Sequence, residues 1–130
     1  MKRFTVSTSR QVELVDITAR LREEIQRAGV ESGFCIVHCP HTTAGLTINE
    51  HTDPSVADDL VTALDRLVPK EGPWTHREGN APAHVKASLM GASVRILIDR
   101  GEPALGTWQG VFLCEFDGPR SREVWLRFVA

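Results

Sequence analysis

All five histidines of the chain fall between positions 38 and 84: His38, His41, His51, His76 and His84. Histidine is the commonest metal ligand and the only side chain that titrates near neutrality in its unperturbed state. No local ligand signature accompanies them, neither HExxH nor a pair spaced i, i+4 on one helix. His41 opens a loop after an apolar run, His76 lies in an unpatterned stretch, and His84 falls in the first turn of a short helix. Loops at the ends of scaffold elements are where functional residues concentrate, so these three are the metal-ligand candidates. His38 sits inside the apolar run and is expected to pack or cap. His51, beside Glu50, ranks lower.

Arg120 and Arg122 begin the last apolar run, two residues apart. In a strand they share a face with Val124, Leu126 and Phe128. Two planar guanidinium forks at the end of an apolar face suit a phosphate or a carboxylate. The competing reading pairs them with Glu115 and Asp117 as surface ion pairs. The segment HTTAG supplies the Thr42 and Thr43 hydroxyls, and EGNAPAH supplies amides and close-approach backbone. GEPALGTWQG places Trp108 beside Gln109, an aromatic group that is more often core than a stacking platform. Among the carboxylates, Glu50 is a candidate base or ligand and Asp53 a helix cap. Asp59 lies near the buried edge of a helix, where it could orient a histidine.

Period and punctuation define the elements that must position these groups. Alternation predicts a strand over 3–8, resumed over 11–15. Asp16 caps a helix whose stripe is Ile17, Leu21, Ile25 and Ala28, with Gly29 as its stop. A buried strand is predicted over 33–39 and a short one over 45–50. Asp53-Pro54 opens a second helix with the stripe Val56, Leu60, Leu64 and Leu67, closed by Pro69. A third helix begins at Pro82 and ends at Gly91. Strand-like runs at 93–99, 108–117 and 120–129 follow; without intervening helices they should be antiparallel. The whole predicts one α+β domain over 1–130, with helices packed on a largely antiparallel sheet.

Composition narrows the function classes. The 130 residues are 42% hydrophobic and 25% charged, the proportions of a soluble globular protein. A net charge of -2 leaves no broad basic footprint for nucleic acid. The longest apolar runs, Phe34 to Val37 and Val111 to Cys114, are far too short for a membrane helix. The start, MKRFTVSTSRQ, lacks the apolar stretch of a secretory signal. Three cysteines, none in a CxxC pair, read as small buried hydrophobes in a reduced, cytoplasmic protein.

The ordered motifs HTTAGLTINE (41–50), DP and DL (53–54, 59–60), H-x-EGN-x3-HVKASLMG (76–91), LGTWQG (105–110) and EFDGPRSREV (115–124) resemble the YjbQ-like family. Members of that family are labelled secondary thiamine-phosphate synthase. The resemblance is collinear and spans nearly the whole chain. It implies a small α+β homotrimer with a metal, expected to be zinc, held by His41, His76 and His84. It also places Asn49, Glu50, Asp59, Asn80, Trp108, Gln109, Arg120 and Arg122 on motif positions. The implied reaction joins an aminopyrimidine methyl diphosphate to a thiazole phosphate and releases diphosphate. The partners expected are therefore a small phosphorylated metabolite and two further copies of the chain. Arg120, Arg122 and Lys86 would hold phosphate, with Thr42, Thr43, Asn49, Asn80 and Gln109 lining the substrate. Trp108 or Trp74 would face a flat ring, Glu50 would act as base, and Asp59 would orient a ligand. Diphosphate departure is usually helped by Mg²⁺ on oxygen ligands, whereas three histidines prefer zinc. Two other readings stay open: a metal-dependent hydrolase of a phosphate or ester, and a non-catalytic metabolite-binding protein with a structural metal.

Overall fold

The computed structural model describes residues 1–130. In chain order the elements are β1 (Lys2–Ser7), β2 (Glu13–Asp16), α1 (Thr18–Ala28), β3 (Ser32–His38) and β4 (Ala44–Glu50). Then come α2 (Pro54–Leu67), α3 (Ala81–Met90), β5 (Ser93–Asp99), β6 (Glu102–Pro103), β7 (Gln109–Glu115) and β8 (Ser121–Val129). The strands form two sheets, β1-β8-β3-β5-β6 and β2-β7-β4, in which every pairing is antiparallel. The expected α+β class is therefore present, built on two sheets.

Alternation decides which residues face inward. From the larger sheet Phe4, Cys35, Val37, Ile96, Ile98, Val124 and Leu126 meet Ala44, Leu46, Val111 and Leu113 of the smaller one. Ile17, Leu21 and Ile25 of α1 join that core. The other face of the smaller sheet, with Leu14, Cys114 and Phe116, is covered by Leu64 of α2 and by Ala83 and Ala87 of α3. The order of layers is thus large sheet, core, small sheet, helix pair.

Local chemistry sets the boundaries. Asp16 Oδ1 accepts from the Thr18 N–H at 2.9 Å, which satisfies one of the free donors at the start of α1. Gly29 ends that helix at φ 67°, in the left-handed region that glycine occupies freely. Asp53 caps α2 by accepting from the Ser55 N–H at 3.0 Å, with Pro54 at the first helical position. All three cysteines are free thiols and buried. Burial pushes Cys35 up to about 11 and Cys114 to about 12, so neither is a thiolate near neutrality.

Four expectations are corrected. The segment predicted to resume β1 instead pairs with β7 in the other sheet, because Leu14 is needed over α2 and α3. The last three long strands do not lie side by side: β5 pairs with β3, β7 with β2 and β4, and β8 with β1 and β3. Leu67 is 73% exposed and Val68 takes its place in the core. The α2 stripe advances by four each time, through Val56, Leu60 and Leu64 to Val68, as the chain leaves the helix. Trp108 is 60% exposed, standing on a turn rather than in the core. No helix is long and apolar enough to cross a membrane.

Candidate functional site

Two of the three candidate histidines meet. Asn80 precedes α3 and the loop before it returns His76 to the first turn, where the His76 and His84 rings stand edge to face with centroids 5.1 Å apart. Glu78 approaches His76 Nε2 to 3.9 Å. The helix lies close on β4 because small residues face small residues there: a Cβ on Gly45 would stand 2.8 Å from the Gly91 carbonyl oxygen.

Beside this pair, α2, the 70–80 loop, α3 and the end of β7 enclose a cleft of about 740 Å³, a size suited to a metabolite. Asn80 and Lys86 line it. Its charged lining is mainly acidic, with Asp65, Glu71, Glu78 and Asp117 against Lys70 and Lys86. Lys86 is only 5% exposed, bonded to the Asp65 carboxylate, its ammonium 5.9 Å from the centre of the Phe116 ring. Asn80 Nδ2 donates to Asp117 at 2.9 Å, while its Oδ1 is buried with no partner. Arg120 sits at the rim, donating from Nε to the Asp117 carbonyl at 2.8 Å and from the guanidinium to its carboxylate at 3.0 Å.

Arg122 is placed differently. It points between the sheets, 2% exposed, and binds the fully buried Glu115 through two bonds, Nε to Oε1 at 2.9 Å and a terminal nitrogen to Oε2. That nitrogen also donates to Thr43 Oγ1 at 2.9 Å. Of the two readings of the arginines, pairing with Glu115 and Asp117 is the one this structure contains. Arg122 is a buried pair rather than a surface one, so neither its guanidinium nor the buried Thr43 is open to an anion.

His41 neighbours that pair. Its Nε2 accepts from the Glu123 N–H at 2.8 Å, so a neutral ring carries its proton on Nδ1. Burial holds its pKa below the ordinary 6.5, and the Arg122 charge presses in the same direction.

The remaining motif residues stand elsewhere. Asn49, Glu50, Trp108 and Gln109 occupy the opposite end of the β4–β7 ladder from Ala44 and Glu115, about 20 Å away at the usual strand rise. Gln109 Oε1 accepts from the Gly106 N–H at 2.8 Å and so clamps the turn that presents Trp108. Glu50 Oε2 accepts from the Thr52 N–H at 2.7 Å, ahead of α2. Thr42 and Asp59 are exposed, and Asp59 has no histidine partner. His38 packs against Trp125, centroids 5.9 Å apart, as its strand position predicts.

One arrangement that the sequence ranks low is built in the fold. His51 Nδ1 lies 2.9 Å from Asp16 Oδ2, a pairing across 35 residues. The only sequence signals are a cap position and a histidine after Glu50, and neither names the other. The full burial of Glu115 is likewise invisible from its neighbours.

The donors fit a metal in part. His76 and His84 offer two adjacent imidazoles, but no three His, Cys, Asp or Glu side chains of one chain converge into a shell. His41 could ligate through Nε2, or through Nδ1 with its proton moved to Nε2, and either route gives up the bond from the Glu123 N–H.

The comparisons agree with this fold. The family model described as UPF0047 protein YjbQ-like matches residues 2–130. A UPF0047 protein of Methanocaldococcus jannaschii is 47% identical over 127 residues, covering 98% of this chain and 92% of its own. The UPF0047 protein YugU of Bacillus subtilis is 42% identical over 130 residues, 99% and 98% of the two chains. Among solved structures, an uncharacterized YjbQ/UPF0047 protein of Clostridium acetobutylicum superposes with a TM-score of 0.97 at 46% identity, over 99% of this chain and 100% of that one. A conserved hypothetical protein of Thermus thermophilus does so with 0.93 at 42% identity, over 99% and 100%. The motifs, the two-sheet fold and these relatives together show that the chain belongs to the YjbQ-like UPF0047 family.

Proposed function

We propose that the chain is a metal-dependent enzyme of small phosphorylated metabolites, with thiamine-phosphate synthase-type transfer as its reaction. The observation that carries the metal part is the His76–His84 pair, which Glu78 links to a metabolite-sized cleft that it lines. The reaction itself rests on the family resemblance. A divalent ion there, zinc by its imidazole donors, would supply Lewis-acid polarisation of a phosphoryl oxygen or of water. In this reading Lys70 and Lys86 orient the phosphorylated substrate, Asn80 Oδ1 receives a donor from it, and Arg120 holds the rim. The pair needs a further ligand, which a second copy in a homotrimer would provide along with an added wall to the cleft.

A metal-dependent hydrolase is the second reading, and one observation favours it. With Arg122 committed to Glu115, the cleft offers two ammonium groups against four carboxylates. That is little positive charge for two phosphorylated substrates held at once.

Purified protein loaded with Zn²⁺ or Mg²⁺ and given both precursors separates the readings. Thiamine phosphate formed by wild type and lost in His76→Ala, with metal lost and assembly intact, supports transfer. Hydrolysis of a phosphate ester without joining supports the hydrolase. No turnover in folded, metal-loaded protein, with His76→Ala unfolding or dissociating, would return the metal to a structural role.

A further inference from the structure

The large sheet packs against α1 and the small sheet through one face, and no element covers the other. Alternation and register lay the outward residues in rows across β8, β3 and β5. Val129, Phe34 and Leu97 make one row, since Phe34 opposes both of the others. Arg127, Ile36 and Arg95 make the row on one side of it, and Ser32 with Asp99 the row on the other. The middle row is apolar and open to water, with Leu97 68% exposed and Val129 39%. A depression of about 250 Å³ beside it, lined by Phe34, Arg95, Ile96 and Leu97, has room for an isobutyl group.

The charges of the flanking rows are unmatched. Arg95, Arg127 and Asp99 form no ion pair within the chain. Asp99 stands opposite Glu102, a like charge, and Glu102 is already held by Arg22 at 2.8 Å. Along β5 the outward residues therefore read Arg95, Leu97, Asp99, a cation and an anion equally spaced about an exposed leucine. That order is complementary to itself when the strand is reversed.

A two-fold axis along the apolar row reverses it. Two sheets then stack face to face with their strands antiparallel. Leu97 meets the partner's Leu97, and the arginine row of each copy faces the carboxylate row of the other. An axis along β5 would instead set Arg95 against the partner's Arg95, which like charges oppose. Charge chooses between the two.

We propose that the outer face of the large sheet is a two-fold contact between copies of this chain. Each Leu97 seats in the depression beside the partner's Phe34, and two ion pairs join Arg95 to the partner's Asp99. None of these residues lines the cleft. A two-fold contact cannot close a ring of three, so it is separate from the trimer contact invoked for the metal. The two contacts together would build a particle of six chains.

Sedimentation equilibrium of the full-length protein tests this. Wild type should contain two chains, or six where rings of three pair, and Arg95→Asp or Asp99→Arg should each halve that number. The double reversal should restore it, because the exchanged charges still match across the axis. Leu97→Asp, which sets two carboxylates on the axis, should halve it as well. All of these side chains are exposed, and far-UV circular dichroism checks that each variant keeps the fold. A wild-type particle of one chain or three, single reversals that leave the number unchanged, or a loss that the double reversal does not restore would overturn the proposal. The first of these results needs no variant to fold, and none depends on bound metal or on turnover.

Discussion

Arg122 of β8 and Glu115 of β7 form an ion pair inside the protein, tying the large sheet to the small one. Glu115 also accepts from Thr8 Oγ1 at 2.8 Å and from the Asp117 N–H at 3.0 Å, and Arg122 reaches both the hydroxyl and the carbonyl of Thr43. A buried pair of this kind is costly to desolvate and costlier still to break.

Arg122→Ala is therefore expected to lower the unfolding free energy by roughly 3–5 kcal/mol, because Glu115 is left charged and unpaired. Replacing both partners by Met and Leu should recover most of that loss. Urea denaturation of the single and double variants measures both. A single variant as stable as wild type would show that the pair does not hold the sheets together.

Acid should destabilise the protein through the same carboxylate. Burial alone would raise the Glu115 pKa, but the bonds from Arg122, Asp117 and Thr8 hold it below the ordinary 4.5. The folded value lies below the unfolded one, so the stabilisation is complete above the unfolded value and is lost as pH falls through the folded one. Asp16 acts in the same direction from an ordinary 3.8. Denaturant titrations between neutral pH and pH 3 should show a decline that begins near pH 4.5. In Arg122→Ala the Glu115 contribution should reverse, narrowing the gap between variant and wild type as pH falls.

Gly45→Ala should loosen α3 from β4. The added methyl would meet the Gly91 carbonyl oxygen at 2.8 Å and Met90 Cβ at 3.1 Å, neither of which can swing aside. A loss of about 1–3 kcal/mol is expected, with zinc affinity falling if His84 is a ligand. Gly110→Ala should cost less stability, since its neighbour is the His51 side chain, but it should detach that ring from Asp16. Thermal melts and histidine NMR distinguish the two outcomes.

The elements and one functional pairing are legible from local sequence. Asp53-Pro54, Asp16 and Gly29 punctuate the helices, the four-residue stripe of α2 is plain, and the alternation of β8 predicts the shared face of Arg122, Val124 and Leu126. Glu115 and Asp117 are also nameable as partners for the arginines, because they lie a short turn away. Depth is what local sequence does not carry. Whether Arg122 faces water or Glu115, and whether Trp108 is core or exposed, depends on which strands become neighbours.

The clustering of five histidines within residues 38–84 is likewise a property of the sequence alone, and the family resemblance narrows the ligand candidates to three of them. Tertiary structure divides them. His76 and His84 meet because a short loop returns onto α3, while the Nε2 of His41 is taken by the Glu123 N–H of β8. His51 finds Asp16 because β2 and β4 flank the same central strand. Spacing along a chain specifies the periodicity and the faces of each element. Strand order decides which faces meet, and it depends on burying many apolar groups at once, which no single motif encodes.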